Sequence, residues 1–164
     1  MELRKHLNPR IVFIGGYFVL FAIYLIIGFQ PADATKYQIG ASLSIPSIGI
    51  ETDVANLSTS QGKLDTPSYI AGRYSNAANK TLIIGHYSTV FQNLPDTKIG
   101  DKVYYNGHSY TVKRIEIREK PAVSMSKILS SEEKDTIVIM TCAGELYDDG
   151  DASHRYMITA TIDA

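Results

Sequence analysis

Five runs rich in β-branched and aromatic residues follow one another at short intervals through the second half of the chain. The runs are residues 81–86, 102–107, 109–119, 136–142 and 155–163. Their composition and partial alternation of apolar and polar side chains are typical of β-strands. Helix is favoured only over short stretches, near residues 91–94 and 124–129. The sequence therefore predicts a mostly β domain with short helices, built as a closed barrel or a sandwich.

Two local signals refine this prediction. Asn106-Gly107 separates two of the runs and is a strong signal for a two-residue hairpin turn. Upstream, residues 41–54 (ASLSIPSIGIETDV) have extended character but are interrupted by Pro46 and Gly49. Because proline cannot donate to a strand ladder, this segment is predicted to be an edge strand with a kink.

Near the N-terminus, residues 11–29 (IVFIGGYFVLFAIYLIIGF) form an uncharged apolar run. As a helix rising ~1.5 Å per residue it would span roughly 30 Å, the thickness of a bilayer core. The run is therefore predicted to be a transmembrane helix. A cleavable signal peptide is the alternative, because the small residues of "PADA" follow the run.

Basic residues flank this run unequally. Arg4, Lys5 and Arg10 precede it, whereas the nearest basic residue after it is Lys36. The positive-inside rule then places the N-terminus in the cytoplasm and the rest of the chain outside the cell membrane. The predicted segments are a cytoplasmic N-terminus (1–10), a single-pass anchor (11–29), a linker (30–40) and an extracellular domain (41–164).

The overall charge excludes one class of partner. Sixteen Lys and Arg residues oppose seventeen Asp and Glu residues, giving a net charge of −1, and no long basic run is present. A nucleic-acid-binding protein needs a basic surface to meet the phosphate backbone. Nucleic acid is therefore not an expected partner.

Cys142, the sole cysteine, ends the apolar run "TIVIMTC". A cysteine nucleophile needs a proton carrier and a group that stabilises the oxyanion formed when a carbonyl is attacked. The chain offers His86 and Arg155 for these roles, and all three residues lie at strand termini, where sites tend to be built. From the residues alone, an inert packed Cys142 and a surface Arg155 remain open alternatives.

The other histidines are weaker candidates. His6 would be cytoplasmic, and His108 belongs to the predicted hairpin tip. His154 precedes Arg155 in a strand, so the two side chains should point to opposite faces. Arg155 should also point away from the more continuous apolar face of its strand, which comprises Tyr156, Ile158 and Ala160.

The loop "GELYDDGDASH" contains four acidic residues, Glu145, Asp148, Asp149 and Asp151. Such a cluster invites a calcium interpretation, but the loop lacks the alternating ligand spacing and closing Glu of an EF-hand. We expect a solvated loop beside the site, with no metal.

Four segments, in this order, resemble the sortases, the membrane-anchored cysteine transpeptidases that attach proteins to the cell wall of Gram-positive bacteria. "SLSIPSIGIETDV" is similar to the family's opening strand, and "IIGHYSTVFQNLPDTKIGDKVYY" to the segment that holds its histidine. "VIMTC" is similar to the TLxTC signature, with Val138 and Ile139 replacing its first two residues. "HRYMITATI" is similar to the final strand, which its arginine opens.

The resemblance implies an eight-stranded sortase-type β barrel in which His86, Cys142 and Arg155 match the catalytic residues. Thr141, from the same signature, is expected to contact substrate. The implied reaction is cleavage of an LPxTG-type sorting signal through a thioester, followed by transfer of the protein to a cell-wall amine. The implied partners are secreted proteins with that signal and a cell-wall precursor, and no cofactor is expected.

The resemblance leaves the subclass and two rival functions open. The sequence contains no Asp-Pro-aromatic lid motif before the barrel and no second apolar run after the last strand. These features favour a housekeeping-type or class D-like or E-like enzyme over a pilin polymerase. The rival functions are a membrane-tethered cysteine peptidase and a non-enzymatic extracellular β binding module.

Overall fold

Ten β-strands and one short α-helix account for most of the residues described in the computed structural model, which are 37–57, 59–60, 63–75, 80–130, 135–148 and 151–164. The strands are β1 (Ile39–Ile45), β2 (Ile50–Asn56), β3 (Thr59–Ser60), β4 (Lys63–Leu64), β5 (Ala71–Ser75), β6 (Thr81–Ile84), β7 (Lys102–Tyr105), β8 (His108–Glu119), β9 (Thr136–Leu146) and β10 (Ala152–Ile162). The helix, α1, spans Met125–Ser130. Three 3-10 turns cover Pro46–Ile48, Leu94–Asp96 and Lys120–Ala122.

Eight of these strands close into a barrel in the order β1-β2-β5-β6-β9-β10-β8-β7, and β7 pairs back onto β1. Neighbouring strands are antiparallel except for β2–β5 and β6–β9, which are parallel. The short strands β3 and β4 form a separate two-stranded sheet. The predicted eight-stranded β barrel is confirmed.

The hairpin predicted at Asn106-Gly107 is also confirmed. Tyr105 pairs with His108, so the loop between β7 and β8 has two residues. Both loop residues have positive φ, 49° for Asn106 and 80° for Gly107. Asn and Gly adopt this left-handed conformation more readily than other residues, which is why they direct this turn.

The kinked edge strand predicted for residues 41–54 is wrong. The segment forms two barrel strands, β1 and β2, paired antiparallel with Ile45 opposite Ile50. Pro46 lies in the 3-10 turn between them, and Gly49 ends that turn with a φ of 66°. Since the missing N–H of proline falls in a turn, it costs no ladder hydrogen bond and marks a strand end, not an edge.

Apolar side chains pack on both faces of the central strands. One cluster fills the barrel and includes Phe91, Ile139 and Ile158, all fully buried. A second cluster lies on the outer face next to α1 and consists of Leu82, Leu129, Val138, Met140 and Met157. Successive residues of β9 therefore alternate between two buried surfaces, which explains its uninterrupted apolar run.

The predicted membrane anchor, residues 11–29, lies outside the described residues. Within the part of the chain that the structure covers, no helix is both long and apolar enough to cross a membrane. The anchor and the segment boundaries drawn around it stay predictions.

Asp163, just after β10, joins three strands of the barrel. Its carboxylate accepts hydrogen bonds from the Lys102 ammonium at 2.8 Å, the Ser109 hydroxyl at 2.6 Å and the Thr111 hydroxyl at 2.5 Å. These bonds, that of Lys102 first, hold the pKa of Asp163 well below its ordinary value. The ionised carboxylate therefore ties the end of β10 to β7 and β8.

We predict that Asp163→Asn lowers the melting temperature by a few degrees at pH 7. The wild-type advantage is fully present above the unfolded-state pKa of about 4 and declines as pH falls towards the lower folded-state pKa. The gap between variant and wild type should therefore be constant from pH 7 to 5 and narrower at pH 3, measured by thermal melts. Glu51→Gln, at an exposed position of β2, is the control. A gap that is unchanged at pH 3 would contradict this role.

Candidate active site

His86, Cys142 and Arg155 lie side by side, but only His86 is at a strand end, two residues after β6 (Thr81–Ile84). The prediction that all three lie at strand termini is wrong for Cys142 and Arg155, which lie inside β9 (Thr136–Leu146) and β10 (Ala152–Ile162), because the pairing of these two strands continues beyond them. Cys142 is in β9, in the middle of the three, and pairs directly with Arg155 of β10. On the other side β6 runs parallel to β9 with Ile84 opposite Met140. The Gly85 N–H donates to the Met140 carbonyl at 3.3 Å, which brings the chain leading to His86 alongside Cys142.

Strand alternation turns the side chains of Cys142 and Arg155 to the outer face of the barrel. They belong to outward rows that include members of the second cluster: Val138, Met140 and Cys142; Arg155, Met157 and Thr159. His86 follows the end of β6 and lines the same cavity. The sequence prediction that Arg155 faces away from the core of Tyr156, Ile158 and Ala160 agrees with this arrangement. His86 is exposed, whereas Cys142 and Arg155 are partly buried.

The three side chains line one cavity of about 230 Å³. Its walls also include Ile84, Met125 and Met140, so α1 and the second cluster give the cavity an apolar side. Wider depressions of about 480 and 640 Å³ lie elsewhere on the described surface, but neither is lined by a cysteine, histidine or arginine. The cavity around Cys142 is the candidate active site because of the residues that line it and not because of its volume.

Thr141, expected to contact substrate, has a side chain committed to the scaffold. The residue is 1% exposed, and its hydroxyl donates to the Gly85 carbonyl at 2.8 Å. This bond fastens β9 to the residue immediately before His86. Thr141 also borders the cavity, and its contact with substrate stays a prediction.

Gly85 allows the ring of Phe91 to pack against the backbone just before His86. A Cβ at this position would lie 2.6 Å from the ring of Phe91, which is fully buried in the core. The Phe91 N–H donates to the His86 carbonyl at 3.0 Å and closes the turn. The buried ring thus holds the loop that presents His86 at the rim of the cavity.

The guanidinium of Arg155 is held by three hydrogen bonds. Nη1 donates to the carbonyls of Ala152 and His154, both at 2.9 Å. Nη2 donates to Oδ1 of Asp151 at 2.6 Å. The Arg155 side chain is only 15% exposed, so this cation is fixed in place and compensated by a neighbouring carboxylate.

Asp151 is the residue that sequence reasoning missed. The loop was expected to be solvated, but the Asp151 carboxylate bonds to Lys120 as well as to Arg155. These bonds, that from Lys120 first, hold the pKa of Asp151 well below its ordinary value. The spacing of an acid four residues before Arg155 was the only local signal for this ion pair.

The remaining acidic and histidine candidates that the structure describes do not line the cavity. Glu145 and Asp148 are exposed, and Asp149 lies outside the described residues. His154 hydrogen-bonds through Nδ1 to the Ser153 hydroxyl at 2.8 Å and does not line the cavity. No group of three or more His, Cys, Asp or Glu side chains within the described ranges is placed to hold a metal ion.

Solved structures with the same fold are sortases. Sortase A from Corynebacterium diphtheriae matches with a TM-score of 0.59 and 24% identity over 78% of this chain, which spans 62% of that protein's chain. Listeria monocytogenes sortase A matches at 0.58 and 18%, covering 77% of this chain and 88% of that one. A Clostridium perfringens Sortase D5 transpeptidase matches at 0.58 and 23%, covering 77% and 80%. The similar TM-scores leave the subclass a prediction.

A comparison with curated protein sequences found no significant match. The family model for the sortase domain, in contrast, matches residues 43–163, a range that contains His86, Cys142 and Arg155. This match covers most of the chain and almost all of the described barrel. The chain belongs to the sortase family.

Proposed function

We propose that this protein is a cysteine transpeptidase that cleaves an LPxTG-type sorting signal and transfers the severed protein to a cell-wall amine. The observation that carries the proposal is the position of Cys142 between Arg155, on the neighbouring strand, and His86, just after β6, with all three in one cavity. Each group supplies one of the three requirements of acyl transfer by a thiol.

In the first half-reaction the Cys142 thiolate attacks the backbone carbonyl carbon of the scissile peptide bond. The tetrahedral intermediate collapses as the C–N bond breaks, and the His86 imidazolium gives its proton to the departing amine. The acyl group stays on Cys142 as a thioester, and His86 is left neutral.

In the second half-reaction an incoming amine attacks the thioester carbonyl. Neutral His86 takes a proton from that amine, the C–S bond breaks, and the thiolate of Cys142 departs. A new amide bond has formed and the imidazolium of His86 is restored, so the enzyme returns to its starting protonation state.

Arg155 is assigned to the oxyanion. Its planar guanidinium has five N–H donors. Some of them donate to the carbonyls of Ala152 and His154 and to the carboxylate of Asp151. The donors left over have no partner within the described residues. In a partly buried site such fixed donors stabilise developing negative charge without reorganisation of solvent.

The apolar wall of the cavity fits the aliphatic side chains of the proposed peptide substrate. Ile84, Met125 and Met140 lie beside Cys142 in the cavity and offer a surface for the aliphatic residues of an LPxTG-type peptide. Methionine side chains adapt to ligand shape because they are unbranched and flexible. The uncharged run 11–29 would hold this site at the outer face of the cell membrane, close to cell-wall precursors.

A membrane-tethered cysteine peptidase is the second candidate function. His86 is exposed at the rim of the cavity, so water has access to a thioester on Cys142. Water and amine would then compete for the same intermediate.

The first test combines the full-length chain in detergent with an LPxTG-type peptide, with and without triglycine as the amine. We expect mass spectrometry to detect the triglycine adduct only when the amine is present. Cys142→Ala should form neither adduct nor cleaved peptide, with an unchanged far-UV spectrum. Hydrolysis alone would support the peptidase, and turnover by Cys142→Ala would exclude the thioester mechanism.

The second test asks whether Arg155 acts through its forked donors or only through its charge. Lysine keeps the charge but loses the planar geometry, so Arg155→Lys should lower kcat/KM on the order of 100-fold. His154→Ala, outside the cavity, is the matched control and should cost much less. Thermal melts exclude misfolding, and similar losses in the two variants would refute the assignment.

The third test concerns orientation in the membrane. In intact cells with a permeable wall, added protease should digest the catalytic domain, because the positive-inside rule places it outside. Immunoblotting with an antibody to the domain measures this digestion, and lysed cells provide the control. A domain that stays intact until lysis would reverse the predicted topology.

A further inference from the structure

Lys120, Asp151 and Arg155 form a chain of alternating charges that leads into the cavity. Asp151 accepts from Arg155 Nη2 at 2.6 Å through Oδ1, and from the Lys120 ammonium through Oδ2. The backbone N–H of Ala152 also donates to Oδ1, at 2.8 Å. Lys120 follows β8, whereas the other two residues lie at the start of β10, so the chain of charges ties two parts of the barrel rim together.

Exposure differs along this chain of charges. The Lys120 side chain is 47% exposed, that of Asp151 27% and that of Arg155 15%. Solvent screening is therefore weakest where Asp151 meets Arg155. The pKa of Asp151 is lowered by the hydrogen bond from Lys120 first and by Arg155 less, so the shift reflects the whole chain of charges and not the contact with Arg155 alone.

The contacts restrict the guanidinium more than the carbonyls alone would. Bonds to Ala152 and His154 hold Nη1, but both partners lie near one nitrogen. The bond from Nη2 to Asp151 adds a second anchor and fixes the orientation of the plane. An oxyanion donor must be placed accurately before the reaction, since misplacement by about 1 Å can cost up to ~100-fold in rate.

We propose that Asp151, itself held by Lys120, is a positioning residue that orients the Arg155 guanidinium beside Cys142 before substrate binds. The inference rests on the proposed function, since it assigns Arg155 to the oxyanion. Asp151 acts through Arg155 and touches no reacting atom. The expected effect is therefore on kcat. Loss of the charge at Asp151 should also lower the melting temperature by a few degrees, as at Asp163, because the pair with Arg155 is partly buried, so every variant is assayed well below its melting temperature.

The kinetic arm compares variants of the full-length chain in the peptide and triglycine assay. Asp151→Asn, nearly isosteric but uncharged, should lower kcat roughly 10- to 100-fold with little change in KM, at a temperature where the variant stays folded. Asp151→Glu restores the charge and should recover part of kcat. Lys120→Met should have a smaller effect than Asp151→Asn, because Lys120 holds Asp151 and not the guanidinium. Asp148→Asn, exposed in the same loop, is the matched control.

A double-mutant cycle separates positioning from general damage. If Asp151 acts through Arg155, Asp151→Asn should cost much less kcat in the Arg155→Lys background than in the wild type. Additive losses would contradict the inference, as would an unchanged kcat in Asp151→Asn or no recovery in Asp151→Glu. An increased kcat in Asp151→Asn would also overturn it, by making the carboxylate a restraint on the arginine.

A second arm does not depend on turnover. Side-chain NMR of the ¹⁵N-labelled chain can follow rotation of the Arg155 guanidinium, with the signal assigned by its loss in Arg155→Lys. Rotation should be hindered in the wild type and faster in Asp151→Asn, and equal rates would refute the positioning role. An inactive wild type with hindered rotation would instead refute the proposed function and leave the contact established.

Discussion

The adjacency of β6, β9 and β10 is the constraint on which the site depends. The parallel pairing of β6 with β9 and the antiparallel pairing of β9 with β10 bring Cys142, Arg155 and the chain just after β6 side by side. Parallel neighbours need a long crossover connection, and here β7, β8 and α1 lie between β6 and β9 in the chain. A slip of one residue in either pairing would turn Cys142 inward and separate it from its neighbours.

Apolar packing on both faces of β9 fixes the register of its pairing with β6 and β10. The inner cluster buries Ile137 and Ile139, and the outer cluster buries Val138 and Met140. Cys142 lies where the outer cluster gives way to the cavity. The same packing that stabilises the barrel therefore provides both the rigid base of the site and the apolar wall that an aliphatic peptide side chain would contact.

The positive charge of Arg155 is compensated by groups that lie within four residues of it in the chain. A guanidinium that is 15% exposed loses hydration, and the carboxylate of Asp151 with two backbone carbonyls compensates for that loss. The compensation leaves some donors unused within the described residues. The guanidinium is therefore stable although it is partly buried, and it still has N–H donors that can bind an oxyanion.

The sequence by itself determined the features that depend on local preference. Its β-branched runs predicted the strands, Asn106-Gly107 predicted the hairpin, and alternation predicted the outward direction of Arg155. Tertiary structure decided the rest, because the deciding contacts join distant residues. Thr141 bonds to Gly85 across 56 positions and Lys120 to Asp151 across 31, and the segment around Pro46 became two strands only because the barrel supplied a partner on each side. Local patterns set which conformation each segment prefers, whereas strand order and long-range pairing set which side chains meet.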